Sequence, residues 1–199
     1  MRGIEDPALL HLDRNPWADL LFDNQHSVFA FDKGRFDKRT FIAEMAALSD
    51  KVNGHTATAK DLYRLATGYY NITYYGRAWE IVNYYRTGDE GEDIPKDKTD
   101  FDRDYYGCYT AEAFFKKAMS ASANREFKAR CLFMMAKCSQ KQVPITTWEW
   151  GWDMADDKFI GQFKHNKHFP QLVGEYGNTG FYREAFNTCS YLRDFVKGK

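Results

Sequence analysis

The sequence is poor in proline, carries no charge excess and has no patterned cysteine. Only 5 of 199 residues are Pro and 44% are hydrophobic, which argues against a disordered chain. The 28 basic and 28 acidic residues cancel, and no basic stripe is visible, so no nucleic-acid partner is expected. No apolar run approaches the roughly 18 residues that span a bilayer, so no membrane span is expected. The four cysteines, Cys108, Cys131, Cys138 and Cys189, contain no CxxC pair. Cys131 and Cys138 share a helical face about two turns apart, too far for a disulfide, so all four read as small buried thiols. The N-terminal residues MRGIEDPALL lack a basic stretch followed by an apolar core. That points to the cytoplasm for the chain as given, or to the cell envelope if it is a piece of an exported protein.

Catalytic signatures are also missing. There is no Gly-rich phosphate loop, no GxSxG, no HExxH and no recognisable Cys–His arrangement. His165 and His168 are spaced for one helical face, but two ligands do not make a zinc site, and the bland reading is a solvated helix end. Asp100, Asp102 and Asp104 alternate like the start of a calcium loop. The Gly and the closing acid such a loop needs are displaced, so the run reads as acids favouring a helix N-terminus. Acid pairs such as Glu112 with Glu126 show no defined geometry. No catalytic residue, metal or cofactor is assigned, and the chain reads as non-enzymatic.

What is abundant is aromatic residues, at 17% of the chain. The simplest use for them is a core built of rings; the other is a sticky surface. Residues 1–36 are irregular by pattern, with Pro7 and Pro16, and read as an N-terminal arm that must pack on the rest. His26–Phe31 alternates weakly and suits a short strand. From about Thr40 the pattern turns helical: Phe41, Met45, Leu48 and Val52 form one face, ended by Asn53-Gly54 with a left-handed cap. Thr56 or Thr58 caps a second helix holding Leu62, Leu65, Ala66 and Tyr69. Ala78, Val82 and Tyr85 mark a third, and the charge-dense residues 87–104 read as an exposed acidic insertion. Ala111, Phe115 and Ala118 mark a fourth; Asn124 caps a fifth with Cys131 and Cys138 inward. A further helix is expected over about 156–165, and a final pair over about 169–176 and 180–196. The result is an all-α chain of roughly seven helices, with residues 37–199 as the helical domain.

The spacing of Ala66, Tyr69, Tyr75, Ala78, Val82 and Tyr85 repeats in Val173, Tyr176, Tyr182, Ala185, Cys189 and Leu192. Ala111, Phe115 and Ala118 repeat part of it. A small residue at the closest approach of two helices, with bulky residues following, suits antiparallel hairpins that must stack on neighbours. This spacing resembles the tetratricopeptide (TPR) repeat, over roughly half the chain. It departs from it in lacking the usual Trp and Gly of the first helix, replaced by Leu62 and Ala66, and the closing Pro of the first unit. The resemblance implies a stack of antiparallel hairpins and a groove for a protein or peptide partner. Mapped onto the first unit, the groove positions are Lys60, Tyr63, Thr67 and Tyr70. The competing reading is that Tyr63 and Tyr70 pack against a neighbouring helix.

A second binding surface is spelled by Trp148, Trp150 and Trp152. If that stretch is extended, all three rings point to one side. A row of exposed rings can stack on sugars, with Glu149, Asp153, Asp156 and Asp157 as acceptors, which makes a glycan the alternative ligand. The bland counterpart is a segment that folds back and plugs the gap between hairpins. Two functions therefore stand open: an interaction or scaffolding module with a helical groove, and a carbohydrate-binding helical module.

Overall fold

The computed structural model describes residues 10–21, 36–86, 99–143 and 165–198. Among these the chain is mostly helical, with one two-stranded sheet: β1 (His11–Leu12) pairs antiparallel with β2 (Phe36–Asp37). Helices α1 (Lys38–Asn53), α2 (Ala59–Asn71), α3 (Asp100–Gly107), α4 (Tyr109–Ser120) and α5 (Arg125–Gln140) follow, then α6 (Phe169–Tyr176), α7 (Gly180–Thr188) and α8 (Ser190–Lys197). No helix among the described residues is long and apolar enough to cross a membrane.

The helix starts follow from their caps. Asp37 accepts the Thr40 N–H at α1, and Asn124 accepts the Phe127 N–H at α5. Thr58 and Asp61 form a reciprocal capping box at α2, and Thr99 with Asp102 forms another at α3. At α7 the free N–H groups of Gly180 and Phe181 are taken by the Glu126 carboxylate, reaching over from α5 at 2.9 and 2.8 Å. Those two bonds hold the Glu126 carboxyl below its usual range.

Helix α4 is the hub. It packs on α2 on one side and α5 on the other, while α5 also carries α6 and α7. Its inward residues Ala111, Phe115 and Ala118 are those the periodicity selects, and Phe115 is fully buried. The core extends through Leu132, Phe133, Leu172, Tyr176, Ala185 and Leu192. All four cysteines are reduced and buried in it. Burial pushes the Cys131 thiol up to about 12 and the Cys138 thiol well above its ordinary value.

Four local expectations need correction. Gly54 does not adopt the left-handed cap after α1; its φ is −81°, and His55, at φ 56°, makes that turn instead. The helix expected at Ala78, Val82 and Tyr85 is a single 3-10 turn at Trp79–Ile81. There the Asn71 carbonyl accepts the Ala78 N–H, and the Asn83 side chain accepts from Tyr84 and Tyr85. These local bonds compete with a helical ladder, so Tyr84 and Tyr85 end up exposed. Residues 99–104, expected within an exposed insertion, cap and open α3; residues 87–98 lie outside the described residues. The last expected helix is broken in two at Cys189, whose extended backbone (φ −93°, ψ 114°) separates α7 from α8. The shared spacings of Ala66–Tyr85 and Val173–Leu192 thus do not fall on matching helices. The strand expected at 26–31 and the helix expected over 156–165 fall almost wholly outside the described residues.

Replacing the fully buried Phe115 with Ala should cost about 3–5 kcal/mol in chemical denaturation, whereas Tyr85→Ala should change stability by no more than about 0.5 kcal/mol. Equal losses at both positions would contradict the placement of residues 82–86 outside the core.

Candidate functional site

The candidate site is built on the exposed start of α2 and the buried face that follows. Lys51 bridges to Asp61 at 2.7 Å, and that bond, with those from Thr58, holds the Asp61 carboxyl down to about 2. Past this start, three of the four expected groove positions turn inward. Lys60 is exposed. Tyr63 packs its ring edge-on to Phe115, centroids 5.1 Å apart, and against Phe127 at 5.3 Å. Thr67 is buried, its hydroxyl donating to the Tyr63 carbonyl, and Tyr70 is buried beneath the Lys137 ammonium, 4.8 Å from its ring centre.

This face is not empty. Residues 17–20 of the arm lie on it, while His11–Leu12 pair with β2. Asn15-Pro16-Trp17-Ala18 makes a turn in which the Asn15 carbonyl accepts the Ala18 N–H and the Asn15 side chain accepts the Trp17 N–H. The turn seats the Trp17 ring against Phe41 at 4.6 Å, beneath the Arg64 guanidinium at 4.2 Å. Gly68 makes room for it: a Cβ there would come within 2.9 Å of the Trp17 ring and 2.1 Å of the Met45 sulfur.

Two residues on, the Asp19 carboxylate is held from two helices. The Tyr63 hydroxyl donates to its Oδ2 at 2.7 Å and Arg130 Nε at 2.8 Å. Burial, reinforced by the Asp19 charge, pushes the Tyr63 phenol well above its ordinary value, so it stays a donor. The arm backbone is held as well. Asn71 Nδ2 donates to the Ala18 carbonyl at 2.9 Å, and Lys137 Nζ donates to the Leu20 carbonyl. Both donors are almost fully buried, at 2% and 6% exposure. The site thus combines a ring seat, a carboxylate seat and two donors aimed at main-chain carbonyls. Pattern reading found Tyr63, Thr67 and Tyr70 but missed Asp19, Asn71, Arg130 and Lys137. Asp19 and Arg130 lie 111 residues apart, a pairing no local pattern encodes.

A second polar cluster sits between α4 and the segment entering α6. Glu112 Oε1 lies 2.7 Å from Lys167 Nζ and 2.7 Å from His168 Nε2, and Oε2 accepts from Gln142 Nε2 at 2.7 Å. Burial alone would raise this carboxyl; the donors His168, Lys167 and Gln142 outweigh it and hold Glu112 down to about 2. His168 is therefore not at a solvated helix end: its side chain is 13% exposed and packed on Glu112. Beside it the Asn166 amide is buried, donating to the Ala136 carbonyl and accepting the His168 and Phe169 N–H groups. A carboxylate beside an imidazole is a familiar acid–base pairing. Of the buried thiols nearby, burial keeps Cys138 protonated, and the Cys108 thiol donates to Thr73 Oγ1. No group of three metal-ligating side chains occurs among the described residues. Of the three aspartates, Asp102 and Asp104 accept backbone N–H groups, from Thr99 and Thr110. Trp148, Trp150 and Trp152 lie outside the described residues.

No family model matches the chain, and neither a curated protein nor a solved structure does.

Two outcomes follow. Glu112 is more acidic folded than unfolded, so its contribution to stability is complete above about pH 4.5 and is lost as pH falls toward 2. Glu112→Gln should lower stability at pH 7 by about 2 kcal/mol and flatten the pH dependence across that window in urea titrations. Gly68→Ala, a change that favours an isolated helix, should instead lower the melting temperature because both the Met45 thioether and the Trp17 ring must move. A rise would mean that the ring does not occupy this seat.

Proposed function

We propose that the chain is a non-enzymatic protein-interaction module that binds an extended peptide segment across the α2 face. It is TPR-like in offering one helix face to such a segment. The observation that supports this most is the arm itself. A segment of the arm lies on the face where a peptide is expected, touching Tyr63 directly and Tyr70 through Lys137. Side-chain donors aimed at main-chain carbonyls and a charged seat are the equipment of peptide recognition, and shape with a few anchors suffices for such a role.

On this reading the arm is an intramolecular occupant, and its tether gives it a high effective concentration. An external segment reaches the face once the arm is weakened. Panning a library of linear peptides against the full chain carrying Asp19→Ala should enrich binders that wild type retains poorly. Those binders should be lost when Arg130→Ala is added. Enrichment indifferent to Arg130, or none beyond wild type, would sink the reading.

A further inference from the structure

We propose that the partner segment is recognised by an aromatic ring placed two residues ahead of a carboxylate. This deepens the peptide-module reading and rests on it. The arm displays what the face accepts. Asn71 and Lys137 bond carbonyls, which every peptide has, so they position a chain without selecting its sequence. Leu12 and Pro16 of the arm are fully buried too, but apolar burial is non-directional; directional selection falls to two further seats. One, formed by Gly68 and Arg64, is open above the α2 backbone only because Gly68 lacks a Cβ, and it is roofed by a guanidinium that favours a flat π face. The other, formed by Tyr63 and Arg130, presents two donors to one oxygen and needs an anion. Trp17 and Asp19 fill them with one residue between.

The charge argument fixes the class further. Without a carboxylate in the second seat, the half-buried Arg130 guanidinium loses its ion-pair partner. A neutral segment leaves that cost in place, and a basic one adds repulsion. The occupant is a segment of a partner protein bearing ring-x-carboxylate, bound in place of residues 10–21.

The test uses the full chain with Trp17→Ala and Asp19→Ala together, which empties both side-chain seats, and a fluorescent peptide spanning residues 10–21 of the wild-type sequence. Anisotropy should show this probe binding at least about tenfold tighter to the variant than to wild type. Excess probe should also raise the variant's melting temperature by refilling the vacant seats. Probes with Trp→Ala or Asp→Ala at the matching positions should bind about tenfold more weakly or worse. Should the variant unfold, the same probes added in excess to wild type must show the same order of affinities. If probes altered at either position bind as well as the parent, the ring-x-carboxylate rule falls while the peptide-module reading stands. If no peptide binds either chain, both fall. A wild-type chain that dimerises by exchanging arms, and loses the dimer on Asp19→Ala, would assign the face to a second copy and overturn the proposal.

Discussion

The shared carboxylate of Asp19 is the constraint on which the candidate site depends. One oxygen accepts from Tyr63 on α2 and from Arg130 on α5, helices that both pack on α4. Tyr63 in turn packs on Phe115, the fully buried ring of α4. A single contact from the arm therefore bears on three helices. It also solves an electrostatic problem. A guanidinium beside a buried phenol is costly unless an anion completes the set, and the arm brings that anion. The Trp17 seat at Gly68 then fixes the arm's register, since moving the chain by one residue would take Asp19 out of reach.

The same logic recurs elsewhere in the molecule. Glu112 draws together α4, Gln142 just after α5 and the Lys167-His168 pair ahead of α6, while Glu126 on α5 caps α7. In each case an acid on one helix collects donors from another segment. Such cross-helix clasps need good geometry to offset desolvation, and here each buried oxygen has donors at hydrogen-bonding distance. They explain how a chain with few long helices holds short ones such as α6 and α7 in place, which would be marginal alone. The carboxylate–imidazole pair of Glu112 and His168 is one such clasp, joining α4 to the segment entering α6.

Helix starts were legible because a cap is a local event. Asn124 and the inward face of α4 could be read from spacing alone, the α2 cap was narrowed to Thr56 or Thr58, of which Thr58 makes it, and the Thr99–Asp102 box was spelled out in a stretch whose charge suggested an insertion. The misreading at Ala78–Tyr85 has a physical cause. The periodicity is helical, but Asn71 and Asn83 offer the backbone other hydrogen bonds, and those win. The repeat match at Ala78, Val82 and Tyr85 fails for the same reason. Of the site, Tyr63 and Tyr70 were legible as a face of α2, but what lies on them was not. Asp19 meets Tyr63 across 44 residues and Arg130 across 111, and His168 meets Glu112 across 56. Tertiary partnerships of that length leave no trace in spacing.

The most direct test of this account is a double-mutant cycle between Asp19 and Arg130, read by urea unfolding of Asp19→Ala, Arg130→Ala and the double variant. The account predicts a coupling of about 1 kcal/mol or more, because each residue's contribution requires the other. Losses that simply add would contradict it: the arm would then lie on α2 and α5 without the shared carboxylate holding it there.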